Sequence, residues 1–213
     1  MIMPEIARLN GPSNAIELNF VERVYTPRFA MRLGIHLHLA GLSLSKTVSI
    51  LENFDVDRCR STVHYWVKQS DLEPQDGRSP DKIALDETVV KIDGEQHWLF
   101  AAVDPETNLI LHVGVYTART TVATKLFLRE LQDKHEIDDA EFFVDGAPWL
   151  QAGLFELGMH FRHETHGDRN PVERVFQEIK RRTDQFYNNF SNADPETVDS
   201  WLKALAFAQN QLV

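Results

Sequence analysis

With 213 residues and 43% apolar side chains, the chain can bury one sizeable core, or a core plus a small module. Its one cysteine, Cys59, excludes an internal disulfide, and no apolar run approaches a membrane span. The start, MIMPEIARLNG, lacks the basic-then-apolar order of a signal peptide, so a cytoplasmic protein is expected. The net charge of −10 is uneven: residues 1–80 hold nine basic and nine acidic side chains, residues 81–213 hold 13 and 23. A nucleic-acid contact would therefore have to be local.

Residues 1–26 carry little pattern. Ile16, Leu18, Phe20 and Val24 suit a short helix or a loosely docked arm. Residues 27–70 form a helical module. Pro27 enters a helix with Phe29, Leu33, Leu37 and Leu39 on one face, ending near Gly41. Ser43 can cap a second helix whose inner face is Leu44, Val48, Leu51 and Phe54. After a short break at residues 55–57, Asp57 can cap a third, with Val63, Trp66 and Val67 buried. Arg58, Arg60, Ser61, Thr62 and His64 would lie mostly outside. Two short helices, the second opening with residues of the kinds that reach phosphates and base edges, make a helix-turn-helix pattern. A small helical hairpin with a solvated face is the alternative. Residues 71–81, with two prolines and a glycine in SDLEPQDGRSPD nearby, read as a linker.

The grammar then changes. Lys82–Ile92, Glu95–Val103 and residues 109–116 alternate as three strands with short turns, an antiparallel meander. A helix over 120–135 carries Val122, Leu126, Phe127, Glu130 and Leu131 at helical spacing. A short strand at Glu141–Val144, a helix near 149–157 and a strand near 159–163 follow. Residues 170–186, NPVERVFQEIKRRTDQF, form a helix with Asn170 as cap, Pro171 at its first position, and Val172, Val175, Phe176, Ile179 and Phe186 as its apolar face. A last helix starts at Asp194 and runs to the end, with Val198, Trp201, Leu202, Leu205 and Phe207 available for burial. The predicted class is α/β: a mixed sheet in the order βββαβαβαα, ribonuclease-H-like, over residues 82–190, with a C-terminal helix in 191–213.

Three carboxylates stand out. Asp86 is an unusual mid-strand residue, because burying a charge without a partner is costly. Asp145 ends a short apolar strand, just before Gly146. Glu173 lies in the first turn of the helix at 170–186, where a capping box explains it locally. In the expected topology the three positions converge, and such a cluster suits a pair of hard divalent ions, Mg²⁺ by default and Mn²⁺ as an alternative. Lys180 projects about 20° from Glu173 around the helix. The rival carboxylates are Asp104 and Asp93 in turns and Glu87, which faces away from Asp86 on the strand. His160, His163 and His166 lack zinc-ligand spacing and are expected at the surface. Trp98 and Trp149 are expected in the core.

These motifs resemble the compact DDE transposases of archaeal and bacterial insertion sequences, the branch often numbered six. The likeness rests on LDET at 85–88, WLFAAVD at 98–104, VDG at 144–146 and GDRNPVERVFQEIKRRT at 167–183. It implies that Asp86, Asp145 and Glu173 are the catalytic, metal-binding triad. It also implies that Lys180, Arg181 and Arg182 hold transposon-end DNA, and that the N-terminal module binds the terminal inverted repeats. The expected activity is hydrolysis that frees a 3′-OH, then its joining to target DNA, by a dimer or larger assembly associated with the nucleoid. A helix-turn-helix regulator without catalysis and a related metal-dependent nuclease are the alternatives.

Overall fold

Strand pairing and helix packing were followed in a computed structural model that describes residues 16–20, 25–164, 170–184 and 189–211. The chain divides into two units, residues 1–72 and 73–213.

The first unit carries α1 (Arg28–Leu39), α2 (Leu44–Glu52) and α3 (Arg60–Gln69). Ile16 and Leu18 are buried in it, and Arg32 Nε donates to the Ile16 carbonyl at 3.1 Å. In α1 the buried stripe is Ala30, Met31, Gly34, Ile35, His38 and Leu39. That stripe replaces the expected Phe29, Leu33 and Leu37 face. Both stripes repeat at helical spacing, and the choice falls to the one with small residues. A Cβ on Gly34 would lie 3.3 Å from both Leu51 Cδ1 and Trp66 Cζ3, tighter than ordinary contact, so a small residue here favours the close approach of the helices. Phe29 stays 46% exposed, edge-on to Phe54, which is 50% exposed rather than part of the inner face of α2. The Ser43 hydroxyl caps α2, accepting from the Lys46 N–H at 3.3 Å.

Helix α3 begins later than expected. Cys59, not Asp57, occupies its cap position, and no side chain caps it. Arg58 explains the delay: its Nε donates to Thr26 Oγ1 and its Nη2 to the Tyr25 carbonyl, both at 2.8 Å, which holds the chain extended ahead of the helix. Val63, Trp66 and Val67 form the buried face.

The second unit is built on β1 (Lys82–Ile92), β2 (Glu95–Val103), β3 (Ile110–Tyr116), β4 (Glu141–Val144), β5 (Phe161–His163) and the two-residue β6 (Asn189–Phe190). The order is β3-β2-β1-β4-β5, with β6 beside the far end of β1. The first three strands pair antiparallel, while β1–β4 and β4–β5 are parallel. This mixed sheet is a ribonuclease-H-like arrangement, with β6 added to the expected order. The β1–β2 turn uses Asp93 and Gly94, both left-handed at φ 49 and 86, as a two-residue hairpin requires.

Helices α4 (Thr121–Lys134) and α5 (Pro148–Glu156) cover one face of the sheet, and α6 (Asn170–Asp184) and α7 (Pro195–Asn210) the other. Strand parity sorts β1 between the two cores. Ile83 and Leu85 pack with Phe127, Leu131 and Leu154, while Ala84, Val90 and Ile92 pack with Val172, Phe176, Ile179 and Leu202. In α4 the buried residues are Ala123, Thr124, Phe127, Leu128 and Leu131, so Val122 and Leu126 are exposed, against expectation. The reason is again close approach, here between Thr124 and Gly153 of α5. Helix α7 protects the edge strand β3 with side chains. Asn210 accepts from the Ile110 N–H and donates to its carbonyl, each at 2.8 Å, and Asp199 accepts from the Val115 N–H at 2.8 Å. The stretch after residue 72 is tied down within this unit, since the Gly77 N–H donates to the Lys134 carbonyl and the Glu136 N–H to that of Arg78.

Candidate active site

Asp86 pairs with Ala101 of β2 in the middle of the sheet. The β1–β4 register runs Ala84↔Phe143, so two residues further along each strand Asp86 comes level with Asp145, just past the end of β4. Asp145 is oriented by its own turn: its Oδ1 accepts the Ala147 N–H at 2.8 Å, and its carbonyl accepts from Gln151 Nε2 at 3.3 Å. Asp86 Oδ1 accepts the Glu87 N–H at 2.8 Å.

Next to Asp86 on β1, across the sheet, lies a carboxylate that the sequence offers only as a rival. Glu87 points to the α4–α5 face, where its Oε1 accepts from Trp149 Nε1 at 3.0 Å. Its Oε2 is buried, with no hydrogen-bond partner among the described residues. Burial first, then the charge of Asp86, push the Glu87 carboxyl up to about 7; Asp145 adds to the rise, while the Trp149 N–H and Arg119 pull it down. The shift is set first by the burial of Glu87 and only then by the negative charge of its neighbours.

Glu173 lies exposed in the first turn of α6, whose Val172, Val175, Phe176 and Ile179 are buried on the Ala84 face of the sheet. By parity Asp86 belongs to that same face. Residues 165–169, ahead of the helix, lie outside the described residues, as does Phe186. Among the described residues, no three His, Cys, Asp or Glu side chains stand close enough to hold a metal together. The expected convergence of three carboxylates is therefore not present as a ready-made cage. The donor set still fits hard divalent cations: carboxylate oxygens, with an excess of negative charge that registers on Glu87.

A protein-family model described as a DDE domain matches residues 81–205. The chain belongs to the DDE transposase domain family. An uncharacterized protein of Methanocaldococcus jannaschii is 31% identical over 176 residues, 82% of either chain. An uncharacterized protein of Aquifex aeolicus is 45% identical over 58 residues, 27% of this chain and 48% of that one. Among solved structures, the catalytic core domain of BIV integrase is similar at TM-score 0.44 and 17% identity, covering 59% of this chain and 80% of that one. The HTLV-2 integrase catalytic core domain is similar at TM-score 0.41 and 14% identity, covering 59% and 83%.

Other side chains singled out in the DDE chain are placed as follows. Lys180 is exposed on α6, and Arg181 forks onto Glu178 of the same helix, with Nε to Oε2 at 2.8 Å. The Arg182 side chain lies outside the described residues. Arg60, Ser61 and His64 are exposed on α3, and Thr62 is half-buried with its hydroxyl 3.1 Å from Cys59 Sγ. Arg58 precedes α3 and is engaged with Thr26 and Tyr25, which corrects its expected place on the exposed helix face. Asp104 serves its turn, accepting from the Glu106 N–H and the Thr107 hydroxyl. His160 and His163 are exposed, while His166 lies outside the described residues. Among the described residues, no helix is long and apolar enough to cross a membrane.

Trp98 and Trp149 pack against the core as expected, but only partly buried. Each packs at the edge of the core and presents a face to Arg119, whose Cζ lies 4.2 Å from one ring centroid and 4.6 Å from the other. No sequence signal marked Arg119, because its two indole neighbours are 21 and 30 residues away.

Proposed function

We propose that this chain is the transposase of an insertion sequence, acting on DNA phosphodiesters with Asp86, Asp145 and Glu173 as its catalytic carboxylates. The observation that carries the reading is the level placement of Asp86 and Asp145 on adjacent parallel strands, within a matched DDE domain. Asp86 and Asp145 supply carboxylate oxygens from the sheet, and Glu173 supplies a third from the first turn of α6. Bound Mg²⁺ or Mn²⁺ would neutralise this cluster, activate the attacking oxygen and stabilise the leaving one. Lys180, on the same side of α6 as Glu173, holds a phosphate beside the site as a point charge. Arg60, Ser61, Thr62 and His64 of the helical module contact transposon ends, and Arg181 and Arg182 contact DNA next to the carboxylates. Two ends must be held for paired joining, so the working form is a dimer or larger.

The test uses DNA carrying the repeats that flank the gene. Asp86→Asn keeps the shape but removes a metal-binding charge, so cleavage and joining are lost while end binding persists. Glu173→Gln gives the same result with the fold intact, because the side chain is exposed and glutamine keeps its shape. Near-normal joining by Glu173→Gln in Mg²⁺ would reduce Glu173 to a cap and end the triad assignment. Cleavage without joining would identify a nuclease instead.

A further inference from the structure

We propose that Arg119, packed against Trp98 and Trp149, is a phosphate-binding residue that seats a DNA strand at the end of the sheet that carries the carboxylates. The inference rests on the phosphodiester chemistry proposed above.

Arg119 is exposed, and an exposed arginine is ordinarily a mobile side chain. Here its Cζ lies 4.2 Å from the ring centroid of Trp98 and 4.6 Å from that of Trp149, so two indole rings pack against one guanidinium. Cation–π contact engages the face of the guanidinium plane, while the N–H donors lie along its edge. Among the described residues, no carboxylate lies within ion-pair distance of it, and no hydrogen bond to it is present. Its fork therefore has fixed orientation and unused donors, the arrangement that recognises a phosphate in two-pronged fashion.

The clamp is also tied to the site. Trp149 is bonded to Glu87, and Arg119 is one of the charges acting on Glu87, together with Asp86 and Asp145. Trp98 pairs with Val89 of β1, three residues past Asp86 and by parity on the Glu87 face, so the clamp stands across the sheet from Asp86, beyond the last paired residue of β4. A strand of DNA approaching this acidic end of the sheet meets like charge. A cation held rigidly at its rim lowers that barrier at one defined place. Thr120, the next residue, caps α4 by accepting the Ala123 N–H at 3.2 Å, so the positive end of that helix dipole lies alongside.

The test measures binding of the full chain, in an Asp86→Asn background with Mg²⁺, to a fluorescein-labelled DNA duplex across a salt series. Arg119→Ala is expected to weaken binding roughly tenfold. It is also expected to reduce the slope of log K against log salt by about 0.9, the loss of one phosphate contact. Arg119→Lys keeps the charge and the slope but loses affinity, since it lacks the planar fork. An unchanged affinity and slope for Arg119→Ala overturns the proposal. So does a slope lost equally in Arg119→Lys, which would trace the effect to disturbance of the tryptophan pair. Failure here is separable from failure of the catalytic reading, because residual cleavage by the Asp86→Asn parent tests that reading alone.

Discussion

Gly153 gives the sharpest stability test of how the site is mounted. Helix α5 carries Trp149 in its first turn, directly after the loop that holds Asp145, and its seat on α4 depends on Gly153. A Cβ there would fall 2.5 Å from Thr124 Cγ2 and 2.9 Å from Thr124 Cβ, where ordinary contact begins at 3.4 Å. The shortfalls are about 0.9 and about 0.5 Å by subtraction. Turning Thr124 about χ1 relieves the first but not the second, and it breaks the bond from its hydroxyl to the Thr120 carbonyl at 3.1 Å. The helices must therefore part. Overpacking of this kind costs about 1–3 kcal/mol, and the geometry argues for the upper half. Better helix propensity returns up to about 1 kcal/mol. Gly153→Ala is then expected to lose about 1–2 kcal/mol, a fall of roughly 2–8 °C in thermal midpoint for a chain of this size. Calorimetry on Gly153→Ala, Thr124→Ser and the double variant closes the cycle. The double variant should recover part of the loss, because serine lacks Cγ2. A raised midpoint in Gly153→Ala, or additive effects across the cycle, would refute the close-approach argument.

The other predictions concern charge. Glu87 holds its proton up to about pH 7 in the fold, against an ordinary value of 4.5. The folded state binds the extra proton between those values, so the wild type loses stability as pH rises through that window. Glu87→Gln should remove that decline in metal-free urea titrations; an identical pH profile for both proteins rules the cause out. Arg60→Ala should leave stability unchanged and lower the salt slope of duplex binding by about 0.9, whereas an unaltered slope excludes a phosphate contact. Arg58→Ala should instead cost about 1 kcal/mol or more in thermal unfolding, because it strips the donor from the buried Thr26 hydroxyl. A destabilised Arg60→Ala beside a neutral Arg58→Ala would reverse the roles assigned here.

Local chemistry placed most of the elements, though not the start of α3 or the short β6. Ser43 and Asp194 mark helix starts because their side chains accept the free N–H groups of a first turn. The Asp93–Gly94 pair turns the β1–β2 hairpin because both positions need a left-handed backbone. Alternation in β1 already put Asp86 and Glu87 on opposite faces, and Asp86 could be singled out because a strand interior disfavours an unpartnered charge. Which stripe of a helix is buried was another matter. In α1 and α4 two apolar stripes repeat with the same period, and the partner helix selects the one whose small residues let it approach, Gly34 in one case and Thr124 against Gly153 in the other. Arg58 read as a helix residue until Thr26 and Tyr25, more than 30 residues earlier, proved to hold it outside. The surroundings of Glu87 and Arg119 are likewise long-range. Trp149 reaches Glu87 across 62 residues, and the indoles that clamp Arg119 come from β2 and α5. Periodicity and capping act within a few residues, whereas desolvation, stacking and charge coupling depend on whichever groups the tertiary fold brings alongside.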